Sequence, residues 1–530
     1  MFLFDLFHSF LPLHNPIGFG ASDFIEFAIA AAFITLIFFW SRIVAAAHAL
    51  AQRPRLAMAV LAILPIGMRL ALLPHYPVPT PSGSDDFSYL LLGDTLRHFR
   101  LANAVHPMHK FFESIFVLQE PSYSSIFPLG QGFVLTLGWA GVLLTGGAFC
   151  ALVYWMLSSW TKPIWALLGG MLAVAEFGPL CVWMNDYWGG YLSACAGCLV
   201  FGSLPREGKR YNVLLGLGIA IQWLTRPFEC VLLLIPVSFW LWKSRRFPRV
   251  ALIPIVLALG LSSVQNYAVT KSWTNMPYMA SRYQYGVPAS FTFQTNPIPH
   301  RDMTPEQKLD YDAQTAVHDS SGSYWQRLVS RLTFYRFFLL VPLFLAPFAL
   351  LRNKRFAFVL GTLLVLALGT NFYPYFYPHY IAVGACLFVW IGVAGISSMN
   401  RDLARSLVQL CAVHGILWFG LHLAGPANQR LALMRFENWD FINFGDPEGR
   451  VAINRQLEKL PGSKLVFVRY GAGHGFHEWI HNDADIDQSK VIWVADLGEE
   501  TNRELLKYYG GRTTLLVEPD AKPPRLTPYR

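Results

Sequence analysis

Apolar stretches recur along this chain at 24–40, 56–73, 251–264, 337–351 and 381–396, with polar breaks between them. A helix needs about 20 apolar residues to cross a bilayer core, and stretches of this kind predict about 12 spans. They fall near 24–41, 56–74, 138–157, 163–182, 188–205, 212–224, 228–242, 250–266, 334–351, 356–371, 378–397 and 403–424. Two long polar segments, 75–127 and 267–332, interrupt the series as outer loops. From about 427 the pattern changes. KLVFVRY (464–470), KVIWVAD (490–496) and RTTLLVEPD (512–520) read as strands, with NRQLEKL (454–460) and ETNRELLKYY (500–509) as helices between and before them. The expected fold is an all-α polytopic membrane domain over 1–426, followed by a small extracytoplasmic α/β domain over 427–530.

Composition agrees. The 530 residues are 54% hydrophobic and only 14% charged, where a soluble domain carries roughly 25% charged residues. The net charge of +9 raises nucleic acid as a partner, but its placement excludes it. Arg42, Arg53, Arg55, Lys162, Arg206, Lys209, Arg210, Lys243, Arg245, Arg246, Arg249, Arg352, Lys354, Arg355, Arg401 and Arg405 fall in alternate inter-span loops, as cytoplasmic loops do. The seven cysteines all lie in apolar segments, so no disulfide framework is indicated. Cys195 and Cys198 sit within SACAGC, where small residues point to close helix packing rather than redox or metal chemistry. The N-terminal MFLFDLFHSF lacks the basic start of a cleaved signal peptide.

The outer loops hold most of the candidate chemistry. SGSDDFSYLLLGD (82–94) places Asp85 and Asp86 side by side just after a span. Helix capping alone accounts for one such residue, since Ser84, Asp85 or Asp86 can accept a free backbone N–H of a helix running to about Phe99. A solvated polar face is the other plain reading. A chemical reading rests on the cost of charge inside a bilayer, which puts the pair at the water interface, ionised and accessible. Helical spacing also lines up Asp86, Tyr89, Asp94 and Arg97 on one face. Tyr89, Arg97, His106 and His109 are candidate substrate contacts.

The stretches SGSDDFSYLLLGDTLRHF (82–99), HPMHKFFES (106–114), PSYSSIFPLGQG (121–132), NDYWGG (185–190) and YPHY (377–380) resemble those of integral-membrane glycosyltransferases of the GT-C superfamily. The likeness is to the bacterial branch of protein mannosyltransferases and aminoarabinose transferases. It covers about 56–424 in topology, with sharp motif similarity confined to the first outer loop. It implies a polyprenyl-phosphate-linked sugar as donor and inverting transfer at the outer face of the bacterial cytoplasmic membrane. It also implies a loop-one aspartate as general base, Asp86 leading and Asp85 its rival. The first span looks like an addition to the family pattern, and the tail domain is not shared across the superfamily.

A phosphate leaving group needs cationic or N–H partners. Arg226 in TRPFE, Arg282 in SRYQYG and His379 in YPHY are the donor-phosphate candidates, each at the outer end of a span or in an outer loop. Interfacial snorkelling, a surface position and a hydrogen-bonded aromatic belt are their respective plain readings. Tyr187, Trp188 and Tyr283, with Tyr285, are aromatic candidates for stacking on a sugar or lipid head. No cofactor is expected. Paired carboxylates at Asp85 and Asp86 also suit a divalent cation, but the resembled branch is not generally metal-dependent. The acceptor stays open between a protein hydroxyl, a lipid and a polysaccharide.

HEWIH (477–481) matches the H-E-x-x-H zinc-protease pattern. Its flanks, GAGHGF and NDADID, leave about two helical turns, a poor base for a rigid zinc site. Two other classes compete with the transferase. A transporter or lipid flippase would use the carboxylates as an ion site, although mid-span ionisable residues are few. A non-catalytic envelope assembly protein would bind partners through its tail.

Overall fold

A computed structural model describes residues 21–81, 83–424, 449–471, 474 and 478–529. The membrane part begins with α1 (Ala21–Ala51) and α2 (Pro54–Ala71), and the first long loop, expected on the outer side, carries α3 (Ser84–Arg97), the paired strands β1 (Val117–Leu118) and β2 (Ser124–Ser125), and α4 (Leu129–Leu135). Then come α5 (Trp139–Leu157), α6 (Pro163–Phe177), α7 (Tyr191–Ser203), α8 (Lys209–Thr225), α9 (Pro227–Lys243) and α10 (Leu252–Thr270). The second outer loop folds as α11 (Pro277–Tyr285), α12 (Pro305–Asp319) and α13 (Tyr324–Phe334), and the chain returns through α14 (Lys354–Thr370), α15 (Ala385–Ser398) and α16 (Arg401–Leu423).

Among the described residues, six helices are long and apolar enough to cross a membrane: Ala28–Ala51, Pro54–Ala71, Trp139–Leu157, Arg249–Thr270, Pro378–Ser398 and Arg401–Gly420. Helices α6 and α7 are shorter apolar helices. The chain is a multi-pass membrane protein. Helices α8, α9 and α14, of 17 residues each, occupy three further expected spans. One expected span differs. Residues 334–351 do not form a continuous α-helix but a series of 3₁₀ turns at Tyr335–Phe338, Val341–Leu343 and Ala346–Leu350. Pro342 and Pro347 each remove a backbone donor and crowd the preceding turn, which breaks an α-helix.

The bundle packs α2 on α5, α5 on α6 and α7, and α7 on α8. The Cys195/Cys198 stretch is a packing surface: a Cβ on Gly197 would run into the carbonyl oxygen of Val383, and both thiols are buried and free. Small residues there let the backbones approach.

The tail begins, within the described residues, with α17 (Arg450–Lys459), followed by β3 (Lys464–Val468), β4 (Val491–Ala495), α18 (Glu499–Tyr508), β5 (Thr513–Glu518) and β6 (Arg525–Pro528). The sheet order is β4-β3-β5-β6, with β3 parallel to β4 and β5, and β6 antiparallel to β5 at the edge. The expected boundary at 426/427 lies outside the described residues. The tail docks on the first outer loop through a shared apolar cluster that joins Leu91, Phe111, Phe112, Val117 and Tyr123 to Leu465, Phe467, Ile492 and Val494. Polar links surround it: Ala484 N donates to Asp94 Oδ2 (2.8 Å), Tyr123 OH to Asn482 O (3.0 Å), and Arg100 pairs with Asp485 (2.8 Å).

The two long loops are latched by charge. Arg301 of the second loop pairs with Glu113 (2.5 Å) and Glu120 (2.7 Å) of the first. Glu113 is buried and also accepts from Tyr285 OH (2.7 Å) and Gln307 Nε2 (3.3 Å). Removing one partner of a buried pair leaves the other charge uncompensated and costs about 3 kcal/mol. Arg301→Ala is expected to cost about that much and to open 267–332 to limited proteolysis. The double variant Arg301→Met/Glu113→Gln is expected to recover most of the loss, because the amide still accepts from Tyr285 while no buried charge remains. Thermal melts and protease digestion of the three proteins check this.

Candidate functional site

The site is organised by the first turn of α3. Gly83 is the N-cap in extended conformation, and Asp86, at the third helical position, turns its carboxylate back on the cap. Its Oδ2 accepts from Gly83 N (3.3 Å) and its Oδ1 from Tyr187 N (3.3 Å). Asp86 is therefore buried and engaged with backbone, in the charge-favoured place at a helix start. Asp85, one residue earlier, keeps part of its surface open.

Tyr187 belongs to the loop 178–190 between α6 and α7, which contains one 3₁₀ turn at Val182–Met184. Arg69, buried at the outer end of α2, fixes that loop: its Nε donates to Asn185 Oδ1 (2.8 Å), and Nη1 and Nη2 donate to Tyr76 O (2.9 Å) and Pro77 O (2.8 Å). Asn185 donates in turn to Pro179 O and Cys181 O, both at 2.9 Å. Tyr187 OH donates to Pro79 O (2.8 Å), tying the loop to the segment that leads into α3. Gly190 has φ +134, and a Cβ there would sit 2.5 Å from the Trp183 ring, so the turn into α7 requires glycine. Between these anchors Asp186 is presented beside Asp85 and Asp86, its Oδ1 accepting from Trp188 N (3.0 Å).

Arg226, whose charge reaches Asp85, lies at the junction of α8 and α9, where Pro227 forces a new helix start. Nη1 pairs with Glu229 Oε1 (3.3 Å), and the guanidinium carbon lies 4.8 Å from the Tyr380 ring centroid. His379 is buried, its ring stacked on Tyr377 (5.6 Å) and edge-on to Trp188 (5.9 Å). Arg331 holds the preceding loop by donating to Tyr373 O (3.1 Å) and Tyr375 O (3.2 Å). From the second outer loop, α12 brings Asp310, oriented by Gln314 Nε2 (2.7 Å), whose Oε1 accepts from Ala289 N (2.7 Å).

Burial, then the nearby charges of Asp86 and Asp310, push the Asp85 carboxyl up to about 7, against the pull of Arg226. Burial and Asp86 raise Asp186 well above the usual carboxylate range. Burial also raises Asp310 to about 7, opposed by its bond from Gln314 and assisted by Glu478 of the tail. Near neutral pH this group of acids holds protons that it can take up or release. Acids on one side and a fixed guanidinium on the other give a site that accepts a proton at one end and steadies negative charge at the other.

The residues singled out in the sequence divide. Asp85, Asp86, Tyr89, Tyr187, Trp188, Arg226 and His379 come together; the Tyr89 ring stacks on Phe127 (4.0 Å) and its hydroxyl senses both Arg226 and Asp85. Arg282 is engaged elsewhere, donating to Pro288 O and Ala289 O (both 3.1 Å) and so clamping the backbone that orients Gln314. Arg97 is exposed beside Asp94 (4.0 Å). His106 is buried against the tail, bonded to Asp487 (3.0 Å) and Tyr509 OH (3.0 Å). His109 lies by Arg301 (3.4 Å), and Tyr283 stacks on His300 (4.1 Å). The expected single face of α3 thus splits, Asp86 and Tyr89 toward the site and Asp94 toward the tail. Asp186, Glu229, Asp310, Tyr380 and Arg69 were not singled out. NDYWGG, TRPFE and YPHY carried Asp186, Glu229 and Tyr380, whereas Arg69 lies inside an apolar helix and Asp310 in an ordinary polar one, with no local signal for either.

His477 of HEWIH lies outside the described residues. Glu478 is buried and accepts from Tyr470 OH (2.9 Å), Ile480 N (2.9 Å) and Ile115 N (3.3 Å). His481 packs on Phe87 of α3 (4.5 Å), whose ring also meets the Arg450 guanidinium (4.6 Å).

No family model and no curated protein matches the chain. Among solved structures it is similar to ArnT from Cupriavidus metallidurans in the apo state, at 11% identity over 87% of this chain and 92% of that one, with a TM-score of 0.47. The same protein bound to undecaprenyl phosphate gives 11%, 87%, 92% and 0.46. The archaeal oligosaccharyltransferase AglB from Archaeoglobus fulgidus, in complex with an inhibitory peptide and a dolichol-phosphate, gives 10% identity over 87% of this chain and 69% of that one, with a TM-score of 0.40.

The two adjacent aspartates are expected to differ in stability. Asp86→Ala loses a helix-start partner and the tie to Tyr187, at about 1–2 kcal/mol. Asp85 has a folded pKa of about 7 against an ordinary 3.8, so the stability it contributes is full below the lower value and lost as pH rises through the higher. Asp85→Asn is therefore expected to flatten the decline of melting temperature between about pH 4 and pH 7 without lowering it at neutral pH. Melts of both variants across that range check the contrast.

Proposed function

We propose that this chain is a membrane glycosyltransferase that moves a sugar from a polyprenyl-phosphate donor to an acceptor at the outer face of the bacterial cytoplasmic membrane. The observation that carries the reading is Asp85, a partly open carboxylate that burial and the neighbouring acids push up to about 7, within electrostatic reach of the Arg226 guanidinium. A base with a pKa near the working pH is effective because it is both available and able to accept a proton. Asp86, spoken for by Gly83 and Tyr187, serves as the residue that orients the turn.

In this scheme the acceptor hydroxyl gives its proton to Asp85 as its oxygen attacks the anomeric carbon. The bond from that carbon to the phosphate oxygen breaks, and the departing lipid phosphate takes the electron pair. Arg226 lies where that charge develops. Its orientation is fixed beforehand by Glu229 and Tyr380, which supports charge stabilisation without reorganisation. Attack opposite the leaving group inverts the anomeric centre. A lipid-anchored donor explains why the site sits at the mouth of a helical bundle: the polyprenyl tail stays in lipid while the phosphate reaches the polar rim. The tail domain lies outside in this arrangement, docked on the same loop.

The test uses the purified full chain in lipid vesicles with a panel of polyprenyl-phosphate sugars, following donor consumption. Asp85→Asn is expected to lower turnover by about 10²–10⁴-fold, the span of positioned base catalysis, while still binding the donor. The rise of rate with pH on the acid side of the profile, with a midpoint near 7, should be lost with it. Transfer that persists in Asp85→Asn, Asp86→Asn and the double variant would remove the assignment.

A further inference from the structure

Helix α13 is amphipathic in the opposite sense to a soluble surface helix. Its exposed positions are Trp325 (71% exposed), Val329 (63%) and Leu332 (44%), one and two turns apart, with the uncharged Gln326, Ser330 and Thr333 beside them. Its charged side chains point inward. Arg327 donates to Asn371 O (3.2 Å) and Thr292 Oγ1 (3.0 Å), and Arg331, which is buried, donates to Tyr373 O and Tyr375 O. A helix with cations facing protein and an aromatic and two aliphatic side chains facing out is mispatterned for water.

The surface around it settles what covers that face. The chain runs from α13 straight into 335–351, the broken span, whose Leu345, Phe348 and Leu351 are exposed as bilayer-facing residues are. On the other flank the exposed Phe293 packs on Phe372 (5.2 Å), which packs on Tyr324 (5.7 Å) beside Trp325 (5.7 Å). The apolar outer face of α13 is thus continuous with the membrane-facing surface and has an aromatic edge, the residue type that settles at the headgroup level.

We propose that α13 lies in the plane of the outer membrane interface, with Trp325, Val329 and Leu332 seated in the lipid headgroup and upper acyl region. The helix would then suspend the loop 371–377 from the membrane surface through Arg327 and Arg331. That loop ends at Tyr377, which senses the Asp85 charge. The inference does not depend on the transferase reading, because its test measures lipid contact and not turnover.

Single cysteines at positions 325, 329 and 332, with Lys308→Cys as an exposed control on α12, are spin-labelled in the full chain; the native cysteines are buried and should not compete. The labelled proteins go into vesicles of phosphatidylethanolamine and phosphatidylglycerol. Collision with lipid-soluble oxygen is expected to exceed collision with a water-soluble nickel chelate severalfold at the three sites, and the reverse at 308. In unlabelled protein, brominated lipid should quench more fluorescence in wild type than in Trp325→Phe. Chelate accessibility at 325, 329 and 332 equal to that at 308 would overturn the proposal. Exclusion of both reagents with dipolar broadening would also overturn it, since that marks a second copy of the chain on this face.

Discussion

The Asp86 carboxylate is the contact on which the rest of the site depends. It satisfies the start of α3 and, from the same group, the backbone of the loop before α7. Two segments far apart in sequence are thereby pinned at one point. A helix start favours a negative charge, so this pinning comes at little electrostatic cost. Its consequence falls on the neighbour. Asp85 is left within electrostatic reach of Arg226, and burial and like charge hold its proton affinity high.

Adjacent identical residues thus do different work, and this explains why the sequence could not order them. DD after a span announces an acidic helix start, but which carboxylate turns back on the backbone depends on where Gly83 ends and where Tyr187 arrives. The same limit applies to the arginines. Arg226 and Arg282 are both arginines in aromatic surroundings at outer positions. One lies at a helix junction with a single carboxylate partner, and the other is fully engaged with the carbonyls of Pro288 and Ala289. Only the path of the neighbouring backbone separates them.

What was legible follows physical range. Hydrophobic runs placed most membrane helices to within a few residues, because bilayer burial is decided over a local window; the first, expected to end near 41, runs on to Ala51 through Arg42 and His48, whose charge breaks the apolar run but not the helix. The tail strands at 464–468, 491–495 and 513–518 were readable for the same reason. The edge strand Arg525–Pro528 was not, because its short polar sequence ends in proline, tolerated only where one side of the strand needs no partner. The prolines at 342 and 347 were visible, but an apolar run reads as a span whether or not its helix survives them. Asp310 was out of reach because its position comes from tertiary folding of the second outer loop over the first.

The tail carries this reasoning one step further. HEWIH reads as a catalytic strip only while its residues are imagined free. Glu478 is instead enclosed by Tyr470 and the amides of Ile115 and Ile480, and His481 packs on the Phe87 ring. Phe87 follows Asp86 directly. The turn of α3 is therefore gripped on successive residues, by the membrane bundle through Asp86 and by the tail through Phe87. A carboxylate acting as the proposed base gains from a turn held on two sides, since small misplacements of a reacting group are costly. Among the described residues, Glu478 and His481 thus serve as the wall of that grip.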